Sequence, residues 1–354
     1  MKAVICTKYG PPEVLQLKEM EKPTPKDDEI LIKIYATAVT ASDIFIRGCQ
    51  LPIQYWIPMR LMIGLTKPRK SIIGLVLAGE IESVGKNVKR FKTGDQVYGL
   101  TGFGLGAYAE YKCMRETDST HGCLGLKPTN ITYEEATVAA YGGLLAFQYM
   151  EKGNIQRGQN VLIYGASGTT GTTAIQFAKY LGAKVTGVCS TTNLELVKSL
   201  GADTVIDYTK VDTLDPGVQY DFILDAVGKI KTSKLKDACK KALAPKGKYV
   251  SIDDGKLMLD SKRLALIKEL VEAGHIKPII DVKVGLALFC PVTSQIKAYP
   301  WEVRIPDGLP IAGVVLSDQV KSLDWRTRTA ENICSIPAAA VAEILGKLAA
   351  LLRD

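Results

Sequence analysis

Apolar positions along the chain fall into three textures. In the first third they form short β-branched runs, Ile30-Leu31-Ile32-Lys33-Ile34-Tyr35 and Gly79-Glu80-Ile81-Glu82-Ser83-Val84-Gly85, the second ending in a glycine turn. Lys92-Thr93-Gly94-Asp95 reads as a turn into Gln96-Val97-Tyr98. This texture predicts an irregular, mainly antiparallel β domain. From about residue 133 strands alternate with helices. Val161-Leu162-Ile163-Tyr164 reads as a buried strand, then a glycine turn, then a helix carrying Ala174, Phe177, Ala178 and Leu181 at helical spacing. Further strands are predicted at residues 184–188, 204–207, 222–225 and 248–251, with helices between them. Repeated βα units imply a parallel sheet covered on both faces. In the last part Pro291, Pro300, Pro306 and Pro310 break short strand-like runs. A cap-like start at Ser335-Ile336-Pro337 then precedes a helical stripe of Val341, Ile344, Leu345, Leu348 and Leu352, read as core packing.

The chemistry concentrates at the first strand–helix junction, Gly165-Ala166-Ser167-Gly168-Thr169-Thr170-Gly171. Glycines at these offsets let the chain turn sharply and let bare backbone approach a pyrophosphate. The N–H groups and positive dipole end of the new helix then meet the anion. Spaced glycines alone are weak evidence; here they follow a strand, open an amphipathic helix and sit within a βαβ repeat, the context a dinucleotide site needs. Gly165, Ser167, Gly168, Thr169, Thr170 and Gly171 are therefore assigned to a dinucleotide. At the end of the second strand a carboxylate would bind the ribose hydroxyls of NAD and repel a 2′-phosphate. Residues 187–193 contain none, and Ser190, Thr191 and Asn193 are neutral donors, which favours NADP over NAD. The competing reading is a plain polar turn.

Composition changes this picture little. A chain of 354 residues, 47% apolar and 23% charged, accommodates two or three domains with full cores. The formal charge of +8 suits an anionic partner, which a nucleotide phosphate satisfies. Much of that excess lies in Lys229, Lys231, Lys234, Lys236, Lys240, Lys241, Lys246 and Lys248, read as a solvated helix face rather than a nucleic-acid groove. The eight cysteines are scattered without C-x-x-C spacing, against a zinc ribbon or redox dithiol. The N-terminal run meets Pro11-Pro12 too soon for a signal sequence, and Pro52, Pro58 and Arg60 interrupt the apolar stretch at residues 51–68. No membrane association is expected, and the cytoplasm is the default location.

Residues 1–281 resemble the medium-chain dehydrogenase/reductase superfamily, in its zinc-free quinone-reductase (zeta-crystallin-like) branch. The resemblance rests on Ala78-Gly79-Glu80-Ile81-Glu82-Ser83-Val84-Gly85, Gly94-Asp95-Gln96-Val97, Gly106-Ala107-Tyr108-Ala109-Glu110-Tyr111, the glycine turn, Leu200-Gly201-Ala202-Asp203-Thr204-Val205-Ile206-Asp207-Tyr208 and Asp225-Ala226-Val227-Gly228. It implies an α/β protein with a GroES-like β domain (1–130) and a doubly wound Rossmann domain (131–282). NAD(P)H would bind in the cleft between them, usually in a homodimer, and pass hydride to a small molecule, a quinone or an activated alkene or carbonyl. Zinc members place a cysteine where this chain has Thr40, and a His-Glu pair where it has Leu75-Val76; the four-cysteine zinc lobe is also missing, and the only histidines are His121 and His275. Zinc is therefore not expected. Thr40, Asp43 and Arg47 fall where the family lines its cleft and are candidates for substrate contact or catalysis. Asp43 and Arg47 also have the spacing of a structural helix pair. Tyr208 and Val227 are assigned by the resemblance to the cofactor.

The remainder, 283–354, resembles the C-terminal part of MazF/PemK-type endoribonuclease toxins, through Leu288-Phe289-Cys290-Pro291-Val292-Thr293-Ser294-Gln295-Ile296-Lys297, Tyr299-Pro300-Trp301-Glu302-Val303 and residues 316–326. It implies a partial SH3-like barrel. Thr293 matches a residue that carries RNA cleavage in that family, but the early strands with the partner arginine are missing. Phosphorane stabilisation then has no source, which argues against RNA cleavage, and binding of RNA or an antitoxin by the tail is not expected either. The alternative to an active reductase is a fusion product that binds NADP, with catalysis impaired by the missing closing segment and a MazF-like tail that binds RNA or an antitoxin.

Overall fold

The computed structural model describes residues 1–49, 60, 63–228, 233–255 and 257–280, and within the remainder 286–289, 292–293, 302–306, 314–316, 321–324, 340–341 and 343–344. Two units are defined, Met1–Ile280 and Asp281–Asp354.

The β-branched runs near the N-terminus become strands because alternate residues can face one core. β1 (Lys2–Cys6) and β2 (Leu15–Glu19) form an antiparallel ribbon. β3 (Glu29–Thr37), β4 (Val76–Val84), β5 (Gln96–Leu100), β6 (Tyr111–Arg115) and β7 (Cys123–Leu126) form a sheet in the order β6-β3-β4-β5-β7, antiparallel throughout. Ile30, Ile32, Leu77, Ile81, Val97, Met114 and Leu124 make its core. Gly79 is required where β3 and β4 close together, since a Cβ there would lie 2.1 Å from the Lys33 carbonyl oxygen.

The βα repeats build the second lobe. β8 (Asn160–Tyr164), β9 (Lys184–Cys189), β10 (Thr204–Asp207), β11 (Tyr220–Asp225) and β12 (Leu243–Ser251) are parallel in the order β10-β9-β8-β11-β12. The order reverses at β8, so a topological switch point opens beyond its carboxyl end, where ligands of open α/β sheets bind. All five predicted strands of this sheet are present.

Two helices tie the lobes together. The first, Tyr133–Met150, starts in a capping box, with the Thr132 side chain accepting from the Glu135 N–H and the Glu135 carboxylate accepting from the Thr132 N–H. Ala136, Ala140, Leu144, Phe147 and Met150 are buried, as expected of a helix that is apolar all round. The second, Ser261–Glu272, receives groups from the β lobe. Tyr98 Oη donates to the Leu264 carbonyl at 2.6 Å, Asn130 Nδ2 to the Val271 carbonyl at 3.0 Å, and the Thr129 N–H to Glu272 Oε1 at 2.9 Å.

Lys268, with the Thr129 N–H and hydroxyl, holds the Glu272 carboxyl down at about 2. A folded-state value below the unfolded one adds stability that is present above the unfolded value and is lost as pH falls toward the folded one. The contribution of this clamp is therefore expected at neutral pH and should fade between about pH 4.5 and 2. Acid titration of unfolding midpoints should show Glu272→Gln with a flatter acid limb than wild type; superimposable curves would remove the clamp from the account.

In Asp281–Asp354, β13 (Leu286–Phe289) pairs antiparallel with β17 (Lys321–Asp324), and β14 (Val292–Thr293), β16 (Val314–Leu316) and β15 (Glu302–Arg304) form a three-stranded antiparallel sheet. Val303 and Ile305 are buried. Of the predicted C-terminal stripe, Val341 and Ile344 are helical, while Leu345, Leu348 and Leu352 lie outside the described residues.

Candidate active site

Three helices carry the candidate site residues or flank them: α1 (Ala41–Gly48), α2 (Tyr133–Met150, the lobe-spanning helix) and α3 (Thr169–Tyr180). β8 runs into α3 through the glycine turn. Gly165 has φ of +84°, and a Cβ there would lie 2.4 Å from Val227 Cγ2. At Gly171 a Cβ would lie 2.2 Å from the Gly165 carbonyl oxygen, so only glycine lets α3 begin this close to the strand. Gly168 is exposed and is the N-cap of α3; a Cβ there would meet only the Gly165 carbonyl oxygen, at 3.5 Å. No side chain caps α3, so its first-turn N–H groups face the open side of the turn. Ser167 and Thr169 sit at its rim and Thr170 is buried behind it. This geometry fits a dinucleotide pyrophosphate.

At the end of β9, Asn193 Nδ2 donates to Ser190 Oγ at 3.1 Å and Ser190 Oγ pairs with Thr192 Oγ1 at 3.2 Å. The turn is polar and neutral, as the sequence indicates. Sequence reading missed one acid beside it. Asp207 ends β10 in register with Cys189 of β9. Its carboxylate is already engaged, accepting from the Thr191 hydroxyl at 2.5 Å and from the Thr209 N–H at 2.9 Å. These bonds, the Thr191 one foremost, hold its carboxyl below the usual range. The signal was available: β10 follows β9 in a doubly wound sheet, so its last residue must lie beside the β9 turn. Tyr208 follows and is largely exposed.

Val227 is held over the turn by a buried network. Asp225, at the end of β11, accepts from the Val227 N–H at 3.2 Å and the Gly228 N–H at 3.1 Å through Oδ1. Its Oδ2 accepts from Tyr249 Oη at 2.8 Å and meets Lys236 Nζ at 2.6 Å. Lys236 also donates to the Gly228 carbonyl at 2.5 Å. Burial, and then the bond to Asp225, push the Tyr249 phenol up, so it remains a donor. Lys236 lies on α5 (Lys234–Lys241), which follows α4 (Leu194–Ser199), and is only 5% exposed. This corrects the reading of the lysine run as a solvated face: one member turns inward because it meets an acid that is itself buried. Lys229 and Lys231 lie outside the described residues.

Thr40 and Asp43 form the capping box of α1. Asp43 Oδ2 accepts from the Thr40 N–H at 2.9 Å and from the Thr40 hydroxyl at 2.6 Å. Asp43 is 2% exposed, and burial pushes its carboxyl up against the opposing pull of the Thr40 bonds. The structure thus brings Thr40 and Asp43 together. It does not pair Asp43 with Arg47: Arg47 Nη1 is buried without a hydrogen-bond partner among the described residues, while Asp43 faces the Tyr108 hydroxyl. A residue four positions along the helix lies on the same side, but the Asp43 side chain folds back to the N-terminus to cap it. Residues 50–59 and 61–62 lie outside the described residues. Among the described residues no group of three or more His, Cys, Asp or Glu could hold a metal ion. Cys6, Cys49, Cys113, Cys123, Cys189 and Cys239 are free thiols. No helix among the described residues is long and apolar enough to cross a membrane.

A β lobe joined to a Rossmann lobe, with a glycine cradle at the switch point, defines a dinucleotide-dependent oxidoreductase architecture, and known proteins agree. Residues 26–124 match the alcohol dehydrogenase GroES-like domain family, and residues 169–271 the zinc-binding dehydrogenase family. The chain is 32% identical over 301 residues to a 2-methylene-furan-3-one reductase of Solanum lycopersicum, covering 80% of this chain and 72% of that one. It is 32% identical over 305 residues to a chloroplastic NADPH-dependent alkenal/one oxidoreductase of Arabidopsis thaliana, with the same coverage of 80% and 72%. In fold it is like the quinone oxidoreductase of Coxiella burnetii, with a TM-score of 0.65 at 23% identity over 79% of this chain and 90% of that one. This chain belongs to the medium-chain dehydrogenase/reductase superfamily, among its quinone and alkenal oxidoreductases. Residues 277–352 match the family of PemK-like, MazF-like toxins of type II toxin–antitoxin systems.

Proposed function

We propose that this protein is a zinc-independent, NADPH-dependent reductase of conjugated carbonyl compounds: enals, enones and the quinones that share their C=C–C=O unit. The observation that carries the reading is the cradle, in which Gly165, Gly168 and Gly171 bring bare backbone and the α3 N-terminus to a pyrophosphate while Val227 closes over the turn. When bound, the nicotinamide supplies hydride. The protein supplies position, exclusion of water and a donor for the oxyanion that develops on the acceptor. A conjugated carbonyl needs nothing more, because its own oxygen takes up the charge. That chemistry suits a site with Thr40 and Leu75-Val76 at the positions of metal ligands.

The β9 turn supports NADPH. Ser190 and Asn193 offer neutral hydrogen-bond donors to a 2′-phosphate, while the Asp207 carboxylate beside the turn is directed toward Thr191 and Thr209. The NADPH dependence of the Arabidopsis relative points the same way. The test is NADPH oxidation at 340 nm with a simple enone and a simple quinone; no oxidation of NADPH with either ends the reading. Ser190→Asp is expected to raise the KM for NADPH at least about tenfold and leave that for NADH within about threefold, because a carboxylate repels the 2′-phosphate and accepts ribose hydroxyls. Equal changes for both cofactors would move the phosphate site away from Ser190.

A further inference from the structure

One polar contact crosses between the lobes beside the cradle and is used by none of the roles above. Ser42 Oγ lies 2.9 Å from Tyr141 Oη. Ser42 is in the first turn of α1, between the capping residues Thr40 and Asp43. Tyr141 is on α2, immediately before Gly142, where a Cβ would lie 2.7 Å from both the carbonyl oxygen and Cγ2 of Thr169. Thr169 is the first residue of α3, in the cradle itself. The phenol therefore stands where the α1 turn, the lobe-spanning helix and the phosphate site converge.

The Tyr141 ring packs against the main core, which accounts for its apolar body but not for its hydroxyl. α1 is capped by Thr40 and Asp43 without Ser42, and α2 by Thr132 and Glu135 at its far end. Around Tyr141 the helix reads Ala139, Ala140, Gly142, Gly143, Leu144, all buried, while Tyr141 stays partly exposed. A phenol in such a run places one hydroxyl at the lobe junction. Burial raises its pKa, against the Ser42 and Thr40 hydroxyls that pull the other way, so it stays protonated at neutral pH.

We propose that Tyr141, oriented by Ser42, is the donor that meets the carbonyl oxygen of the acceptor as negative charge develops there. The proposal rests on the reductase reading above. Bound NADPH would supply the hydride, its C4–H bond breaking to leave NADP+; as the C–H bond forms at the β-carbon, the alkene π pair moves to join the α- and carbonyl carbons, and the carbonyl π pair moves onto oxygen. The Tyr141 O–H bond breaks and its proton passes to that oxygen, giving the enol. Ser42 donates to the phenolate left behind until solvent returns a proton, and the enol tautomerises to the saturated carbonyl compound. One hydride and one proton are consumed per alkene reduced.

The test compares Tyr141→Phe with wild type in two ways. In turnover with NADPH and an enone, the variant should lose about 100-fold in kcat with KM changed less than about threefold, the size expected for one lost oxyanion donor. In a binding titration without turnover, p-nitrophenolate serves as a stable oxyanion probe on the NADP-saturated protein, read by its visible absorbance shift. The variant should bind it about tenfold more weakly. Unchanged NADPH affinity shows that the variant has kept its fold, and Ser42→Ala should give a smaller loss in the same direction. A Tyr141→Phe protein within twofold of wild type in both measurements overturns the proposal, as does a wild type with no affinity for p-nitrophenolate. If wild type fails to oxidise NADPH, the reductase reading falls, and the phenolate titration still decides on the donor.

Discussion

Gly171→Val is expected to weaken NADPH binding by at least about 100-fold, the largest effect of any single change in the cradle. The added Cβ would lie 2.2 Å from the Gly165 carbonyl oxygen and 2.8 Å from Ala166 Cα and C, all backbone atoms that cannot rotate away. The start of α3 must then lift off the turn. The N–H groups that would converge on the pyrophosphate lift with it, and an anion site depends on their direction as well as their presence. Fluorescence titration with NADPH measures the loss. Gly168→Ala provides the contrast, since its φ is −75° and its Cβ would make only an ordinary contact, at 3.5 Å, with Gly165. That variant should melt like wild type while binding NADPH about tenfold more weakly, because its methyl enters the space kept open for phosphate. Wild-type affinity in Gly171→Val would remove the cradle as the cofactor site.

Lys236→Met should cost about 3–5 kcal/mol of stability, because it strands the buried Asp225 carboxylate without its cation. Asp225 would keep the Tyr249 hydroxyl and two backbone N–H groups, which offset part of the loss. The same change releases the Gly228 carbonyl and loosens the loop that presents Val227 to Gly165, so NADPH affinity should fall along with stability. Chemical denaturation followed by far-UV circular dichroism measures the first effect, and NADPH titration the second. A stability change below about 1 kcal/mol would mean that the pair is solvated and that Val227 is held by something else. Substituting an exposed lysine of the same helix, Lys241→Met, should do neither, which separates the buried residue from the basic run that hides it.

The two variants probe the same site from its two sides, and they differ in how far each could be read beforehand. Gly165, Gly168 and Gly171 declare themselves in one short segment, because the physics of a strand–turn–helix junction is local. Lys236 looks like its neighbours in a run of lysines. Nothing within the run indicates that one of them meets Asp225, at the end of a strand that pairs with β8. Asp43 and Arg47 show the opposite failure: their spacing suggests a helix pair, yet the Asp43 carboxylate turns to the helix N-terminus because Thr40 supplies two donors there.

The sequence by itself determined the alternation that separates an antiparallel β lobe from a parallel βα lobe, the glycine turn at residues 165–171 and a change of character toward the C-terminus. These are periodic or contiguous features, fixed by side-chain period and by backbone freedom over a few residues. Tertiary structure alone decided which members of the polar inventory act together: Asp225 with Lys236 and Tyr249, Asp207 with Thr191 and Thr209, Ser42 with Tyr141. The Asp225–Lys236 and Ser42–Tyr141 contacts join residues on different elements, and Asp207, at the end of β10, meets Thr191 in the turn that follows β9. Their energy depends on burial and on distances of a few ångströms, which a linear pattern does not carry until the sheet order and the helix that spans the lobes have set them.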